Sequence, residues 1–235
     1  VSRKKHACDC ALKAFCLYLL IGCGQEVQVE HIRVYVCKPP ISTDKAVIVI
    51  QDIFGYYLIL ILFVYVCMCR AICPDFFAGK DAWKPSDDWS KFGDWLKTRD
   101  ARKINREADA VLRCLKDQCG AKKLGIGFFF FFAGMVFLSI TLTMTYPKLK
   151  AGVSLYCRLI KDSDGVSNLL NPMFFIFTEK DYFIPLHQVL KLIIRLKPDQ
   201  TYSFVHHRRG EINPKDKTYI EEGRKDMINW LNKYI

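Results

Sequence analysis

The sequence predicts an α/β fold in which a central, mostly parallel sheet is covered by helices on both faces. Apolar runs rich in β-branched residues alternate with runs of helical periodicity, an arrangement typical of βαβ units. The run at residues 46–50 is apolar at every position, as expected for a strand buried on both faces. No internal repeat or Pro/Gly/Ser-rich linker divides the 235 residues, which favours one main domain.

Further strands are predicted at residues 27–36, 151–156 and 173–178. A helix is predicted between residues 98 and 120, because its apolar residues recur at helical spacing and Gly120 is suited to end it. A C-terminal helix is predicted to begin with Asn213 as N-cap. Its expected buried residues are Ile220, Met227, Trp230, Leu231 and Tyr234.

Two segments, at residues 56–69 and 126–146, are uncharged and apolar, and the first has no polar face. The second is long enough to cross a bilayer, which takes about 20 residues. We interpret it instead as a buried strand that runs through a turn into a buried helix, because Gly127, Gly134 and Ser139 dilute its apolar character. A membrane-spanning helix is the open alternative.

The chain is basic, with 35 Lys and Arg against 24 Asp and Glu and a formal net charge of +11. Such a balance could favour nucleic acid or an anionic membrane. The basic residues are scattered over the whole length, and no nucleic-acid-binding motif accompanies them. We therefore predict a solvated basic surface and no nucleic-acid partner.

The eleven cysteines are interpreted as buried thiols. The tight pairs Cys8/Cys10 and Cys67/Cys69 lack the second half that a zinc site needs, so no metal is predicted. Basic residues precede an apolar stretch at residues 11–23, as in a secretory signal, but Asp9 and Lys13 interrupt that pattern. The expectation is a reducing cytosol rather than a secreted disulfide framework.

Seven segments in order resemble the dienelactone hydrolase family: residues 26–31, 45–55, 74–79, 94–99, 151–154, 177–186 and 230–234. On this basis residues 1–24 form a divergent N-terminal segment and residues 25–235 the family domain. The resemblance implies the α/β-hydrolase fold. It also implies hydrolysis of esters or lactones of small carboxylic acids by a Cys–His–Asp triad, with no metal or organic cofactor.

Two acidic residues match functional positions of that family. Asp181 lies just beyond the predicted strand at residues 173–178 and corresponds to the acid of the triad. In such a triad the carboxylate orients an imidazole, and the imidazole activates the nucleophile. Asp52 follows the strand at residues 46–50, where the family keeps an acidic residue near the thiol, and is the predicted binding residue.

The nucleophile and base positions hold other residues. The family's Gly-Phe-Cys-x-Gly-Gly turn corresponds to residues 127–134, so Phe130 or Phe129, depending on one gap in the match, takes the cysteine's place. Phenylalanine has no nucleophilic atom, and its bulk replaces the small residues that the turn needs. Tyr202 takes the histidine's place. A phenol with a pKa of about 10 is a poor general base at neutral pH. Hydrolysis is therefore expected to be lost or very weak.

Other residues could replace the missing groups only after rearrangement. Cys157, at the end of the strand at residues 151–156, is interpreted as an inert buried thiol, and His206 and His207 would need a rebuilt loop. The alternatives are a non-catalytic module that binds a small carboxylate or lactone beneath Asp52 and Asp181, and a membrane-associated or degenerate product. The expected partner is a small-molecule ester or lactone, and no oligomeric state is predicted.

Overall fold

The computed structural model describes residues 24–39, 41–50, 69–77, 82–84, 86–98, 105–129, 146–155, 171–178, 194–197 and 217–235. Within these ranges eight strands form one sheet in the order β1-β2-β4-β3-β5-β6-β7-β8. They are β1 (Gly24–Val29), β2 (Ile32–Cys37), β3 (Lys45–Ile50), β4 (Arg70–Pro74), β5 (Lys123–Phe129), β6 (Leu149–Leu155), β7 (Met173–Thr178) and β8 (Ile194–Lys197). The pairs β1/β2 and β2/β4 are antiparallel and the other neighbours are parallel, which confirms the predicted mostly parallel sheet.

Three α-helices are described: α1 (Phe92–Lys97), α2 (Asn105–Arg113) and α3 (Lys217–Tyr234). A 3₁₀ turn (Trp89–Lys91) precedes α1, and a π-helical turn (Cys114–Gln118) extends α2. Gly120 has a φ of 60°, the left-handed conformation that glycine adopts without steric cost, so the predicted end of this helix is confirmed. α3 is the predicted C-terminal helix, and its expected N-cap, Asn213, lies outside the described residues.

β3 separates two apolar cores because it is buried on both faces. Ala46, Ile48 and Ile50 point into the first core, which α2 and the π-helical turn cover with Ala108, Ala110, Val111, Leu112 and Leu115. Val47 and Val49 point into the second core, which contains Met227, Leu231 and Ile235 from the C-terminal end of the chain. The prediction of helices on both faces is therefore confirmed.

The prediction of one strand at residues 27–36 is wrong, because a turn at Glu30 and His31 divides it into β1 and β2. Glu30 has a φ of 50°, and its carboxylate accepts hydrogen bonds of 2.9 and 3.0 Å from Arg113 of α2. His31 Nε2 lies 3.4 Å from Glu107 Oε1 on the same helix. The turn contains no Gly, Pro, Asn or Asp, so the sequence gives no signal for it. In the structure both turn residues contact α2 instead.

The two apolar segments are described only in part. Residues 126–129 are the end of β5, which agrees with a buried strand at the start of the second segment, and residues 130–145 lie outside the described part of the chain. Of the first segment, Cys69 alone is described. No helix within the described ranges combines the length and apolar character that a bilayer crossing requires.

Gly125 of β5 provides the space in which the end of α3 packs. A β-carbon at this position would lie 3.2 Å from Cδ2 of Leu231 and 3.3 Å from Cδ1 of Ile235. The substitution Gly125→Val should therefore lower the free energy of unfolding by about 1–3 kcal/mol, because it overpacks the second core. Urea unfolding followed by circular dichroism measures this loss.

A double-mutant cycle with Leu231→Ala tests the cause. Leu231→Ala alone should cost about 2–5 kcal/mol through the cavity it leaves. Because truncating Leu231 makes room for the valine, the double mutant should lose less stability than the sum of the two single losses. Strictly additive losses would contradict the assigned contact.

Candidate active site

The candidate site is the edge of the sheet where the parallel strands have their carboxyl ends. In open α/β sheets this edge is where ligands bind. The register pairs place the strand ends almost level, namely Ile50 with Phe128, Phe129 with Leu155, Leu155 with Ile176, and Thr178 with Lys197. Segments that leave β3, β5, β6, β7 and β8 therefore all start along one line.

Each predicted site position follows one of these ends. Asp52 comes two residues after β3, Phe130 directly after β5, Asp181 three residues after β7 and Tyr202 five residues after β8. These four residues lie outside the described part of the chain, as do Cys157, His206 and His207. One strand, β6, separates β5 from β7, so those two ends are about 10 Å apart at the usual strand spacing of about 4.8 Å.

The backbone of β5 remains extended up to the candidate nucleophile position. Phe128 and Phe129 continue the parallel ladder, opposite Ser154 and Leu155 of β6. Ser154 is completely buried. Phe129 therefore belongs to the strand, and the first residue beyond the strand is Phe130.

Asp75 organises the turn that leaves β4 at the same edge, since β4 runs parallel to β3. Its side chain is 8% exposed. The backbone N–H of Phe77 donates to Asp75 Oδ1 at 3.1 Å, and Arg33 Nη2 donates to Oδ2 at 3.4 Å. The backbone N–H of Asp75 also donates to the carbonyl oxygen of Arg33, at 2.8 Å. These bonds fix the direction in which the chain continues to Phe77.

An aromatic cluster starts at this turn, and its members are Phe77, Trp83, Trp89, Phe92 and Trp95. The ring centroids of Phe77 and Trp95 are 5.6 Å apart, and those of Trp83 and Phe92 are 4.9 Å apart. Trp83 is 4% exposed whereas Trp89 is 52% exposed, so the cluster extends from the core to the surface. Edge-to-face contacts of this kind hold large rings rigidly and bury much apolar area.

Asp88 fixes the start of the 3₁₀ turn that carries Trp89. Its Oδ1 accepts a hydrogen bond of 3.0 Å from the backbone N–H of Ser90. Side-chain and backbone hydrogen bonds from Ser90 lower the pKa of Asp88, so the cap is fully ionised at neutral pH. On α1, a hydrogen bond from Lys97 to Asp94, 2.8 Å long, lowers the pKa of Asp94 and raises that of Lys97.

The sequence contains a signal for this cluster that is independent of helical or strand periodicity. Three of the four tryptophans lie between residues 83 and 95. The cluster belongs to the turn after β4, and only β3 separates β4 from β5 in the sheet. The cluster therefore starts at the carboxyl end of β4, two strands from β5 in the sheet.

Residues 32–235 match the model of the dienelactone hydrolase family. The chain belongs to this family. The carboxymethylenebutenolidase homologue of Xenopus tropicalis is 49% identical to it, over 90% of this chain and 91% of that protein. The homologue of Rattus norvegicus is 50% identical over 91% and 92%, and that of Homo sapiens is 46% identical over the same shares.

Solved structures of low sequence identity share the fold. A dienelactone hydrolase-like promiscuous phosphotriesterase from metagenomic libraries superposes with a TM-score of 0.60 at 15% identity, over 90% of this chain and 97% of that one. The dienelactone hydrolase of Anabaena variabilis gives a TM-score of 0.59 at 12% identity, over 91% and 99%. The predicted α/β-hydrolase fold is thereby confirmed.

The Asp75 turn should be required for the order of the aromatic cluster. Asp75→Ala leaves the buried N–H of Phe77 without its carboxylate acceptor, so we expect a loss of about 1–3 kcal/mol in the free energy of unfolding. The near-ultraviolet circular dichroism of the tryptophans should decrease as well. Asp75→Asn is the matched control, because its amide oxygen can still accept from Phe77. Equal effects of the two substitutions would contradict the role of this hydrogen bond.

Proposed function

We propose that this chain keeps the dienelactone hydrolase scaffold but that its hydrolysis of esters and lactones is lost or very weak. The observation that carries the proposal is the pair of phenylalanines at the end of β5, Phe129 within the strand and Phe130 directly after it. A nucleophile needs a position on the turn beyond the strand, which favours Phe130 as the vacated position. A phenyl ring can neither attack a carbonyl carbon nor pass a proton to a base.

The proposal assigns the remaining triad roles by strand. Asp181 after β7 is the retained acid, and Tyr202 after β8 occupies the position of the base. An acid without its histidine has no imidazole to orient, so its catalytic contribution disappears with its partners. Asp52 after β3 is the proposed binding residue. The cytosol is the proposed compartment, since eleven cysteines suit a reducing environment.

Assays with an activated aryl ester and with a dienelactone test the proposal. Turnover should lie roughly 10⁴–10⁶ below that of a triad-bearing enzyme assayed alongside it, because triad members act as a unit. The dienelactone hydrolase of Anabaena variabilis is a suitable reference. Alkylation of thiols should leave the residual rate unchanged. Turnover well above solvent that alkylation abolishes would overturn the proposal.

Restored triads distinguish the two candidate positions. The double variant Phe130→Cys with Tyr202→His should gain ester turnover that alkylation removes, since it returns a thiol and an imidazole to the sheet edge. The matched variant Phe129→Cys with Tyr202→His should remain at background, because residue 129 belongs to the β5 ladder. The opposite order of activity would place the vacated nucleophile at residue 129.

A second candidate function is binding of a small carboxylate or lactone without catalysis, and the aromatic cluster favours it. The cluster begins at the carboxyl edge and contains a tryptophan, Trp83, whose buried Nε1 has no hydrogen-bond acceptor among the described residues. Apolar walls with a few polar groups are typical of small-molecule sites. Binding of a ligand to such walls does not require a nucleophile.

Ligand-dependent stabilisation tests this second candidate. A ligand present at 100 times its Kd should raise the free energy of unfolding by about 2.7 kcal/mol. Dienelactone and succinate are the probes, with thermal unfolding and tryptophan fluorescence as readouts. Trp95→Leu should abolish the increment, whereas Trp230→Leu, outside the cluster, should preserve it. An increment that both variants preserve would exclude the cluster as the binding wall.

A further inference from the structure

Two cysteines meet at the turn that joins α2 to β5. Cys114 is the first residue of the π-helical turn and Cys119 directly follows it. The backbone N–H of Cys119 donates to the carbonyl oxygen of Cys114 at 3.1 Å, which closes the turn. The Cys114 thiol donates to Gln118 Oε1 at 3.5 Å, and Cys119 is near enough to raise the pKa of Cys114. The closed i→i+5 turn therefore places the two cysteine side chains on the same side of the chain.

The surrounding contacts hold this turn in place. Arg70 Nη1, from the start of β4, donates to the carbonyl oxygen of Cys119 at 2.7 Å. The backbone N–H of Ala121 donates to the carbonyl oxygen of Leu115 at 2.9 Å. A disulfide requires Cα atoms about 4.4–6.8 Å apart, and one closed helical turn separates its ends by roughly this distance. Little backbone movement is then needed to join the two sulfurs.

The two thiols differ in their access to solvent. Cys114 is 7% exposed, whereas Cys119 is half-buried and reaches solvent. Burial and the neighbouring Cys119 raise the pKa of the Cys114 thiol to about 11, while the positive charge of Arg70 opposes the rise. Cys119 is thus the thiol that an external reagent meets first, and Cys114 is the second, protected thiol.

We propose that Cys114 and Cys119 form a reversible dithiol/disulfide site that reacts with small disulfides such as glutathione disulfide. The Cys119 thiolate attacks one sulfur of glutathione disulfide, the S–S bond breaks, and one glutathione thiolate leaves and takes up a proton. Cys114, after loss of its proton to solvent, attacks Cys119 Sγ in the mixed disulfide and releases the second glutathione. In total, two protein thiols and one glutathione disulfide give one protein disulfide and two glutathione thiols.

The electrostatic effect of Cys119 on Cys114 favours this order of events. That effect is one of the causes that raise the pKa of Cys114, and it ends once Cys119 carries glutathione. The second step therefore starts from a more acidic Cys114 than the reduced protein has. The site lies before the first residue of β5, opposite the carboxyl edge, so it does not depend on the proposed loss of catalysis.

The other described cysteines provide an internal comparison. Cys37, Cys69 and Cys73 lie in or beside β2 and β4 and pack in the second core, each 2% exposed or less. A reagent in solution does not reach thiols buried to this extent. Among the described cysteines, Cys119 combines solvent access with a second thiol in contact.

Tryptic mapping of the full chain tests the proposal. Cleavage after Arg113, Lys116 and Lys122 puts Cys114 and Cys119 in separate peptides, 114–116 and 117–122, which stay joined only by a disulfide. The chain is equilibrated in glutathione buffers of increasing oxidised-to-reduced ratio, alkylated with iodoacetamide and digested. The joined pair should rise from less than about a tenth to most of the recovered peptide as the ratio increases. Its absence at the highest ratio of oxidised to reduced glutathione would overturn the proposal.

Single variants separate the roles of the two thiols. Cys114→Ala should stop at a stable glutathione adduct on peptide 117–122, and Cys119→Ala should give neither the adduct nor the joined pair. Cys73→Ala is the control and should leave the joined pair unchanged. An adduct on Cys114 in the Cys119→Ala variant would contradict the assigned order of attack. Because the wild-type chain already gives the decisive result, a variant that folds poorly does not decide the test.

Discussion

The parallel pairing of β3 with β5 is the constraint on which the rest of the structure depends. Six consecutive residue pairs join the strands, from Lys45 with Lys123 to Ile50 with Phe128. A parallel central strand must be covered on both faces, which explains why α2 and α3 each close a separate apolar core over β3. The same pairing sets the levels of the two strand ends. The strand register therefore fixes where a site at the carboxyl edge lies, whichever side chains line that site.

Because strand pairing builds the scaffold, the fold can be kept even when residues beyond the strand ends change. The described cores are built mostly from strand and helix residues. Under the proposal the nucleophile is lost beyond the end of β5, while the strand itself keeps the core residues Leu124 and Ile126. Family membership and a lost activity are therefore compatible under the proposal, because nearly half of all positions are identical to the Xenopus tropicalis homologue.

The sequence predicted the elements whose signal is local. β3 and β7 were predicted because their apolar runs are continuous, and the end of α2 because Gly120 supplies a left-handed residue. β8 (Ile194–Lys197) was not predicted, since Arg195 and Lys197 interrupt the apolar pattern of a short segment. The candidate site could be predicted as strand ends through the family resemblance. Helical and strand periodicity do not predict the aromatic cluster, because ring contacts between separate segments have no period.

The contact between Cys114 and Cys119 shows why spacing alone cannot reveal such a pair. Residues five apart on an α-helix, at about 100° per residue, point roughly 140° away from each other. The π-helical turn has fewer degrees per residue, and its i→i+5 hydrogen bond returns the chain to the same side after five residues. That turn coincides with the end of α2, where Arg70 and Gly120 determine how the chain enters β5. Tertiary contacts that shape the helix end therefore create the dithiol, and the helical pattern by itself predicts two thiols that face different ways.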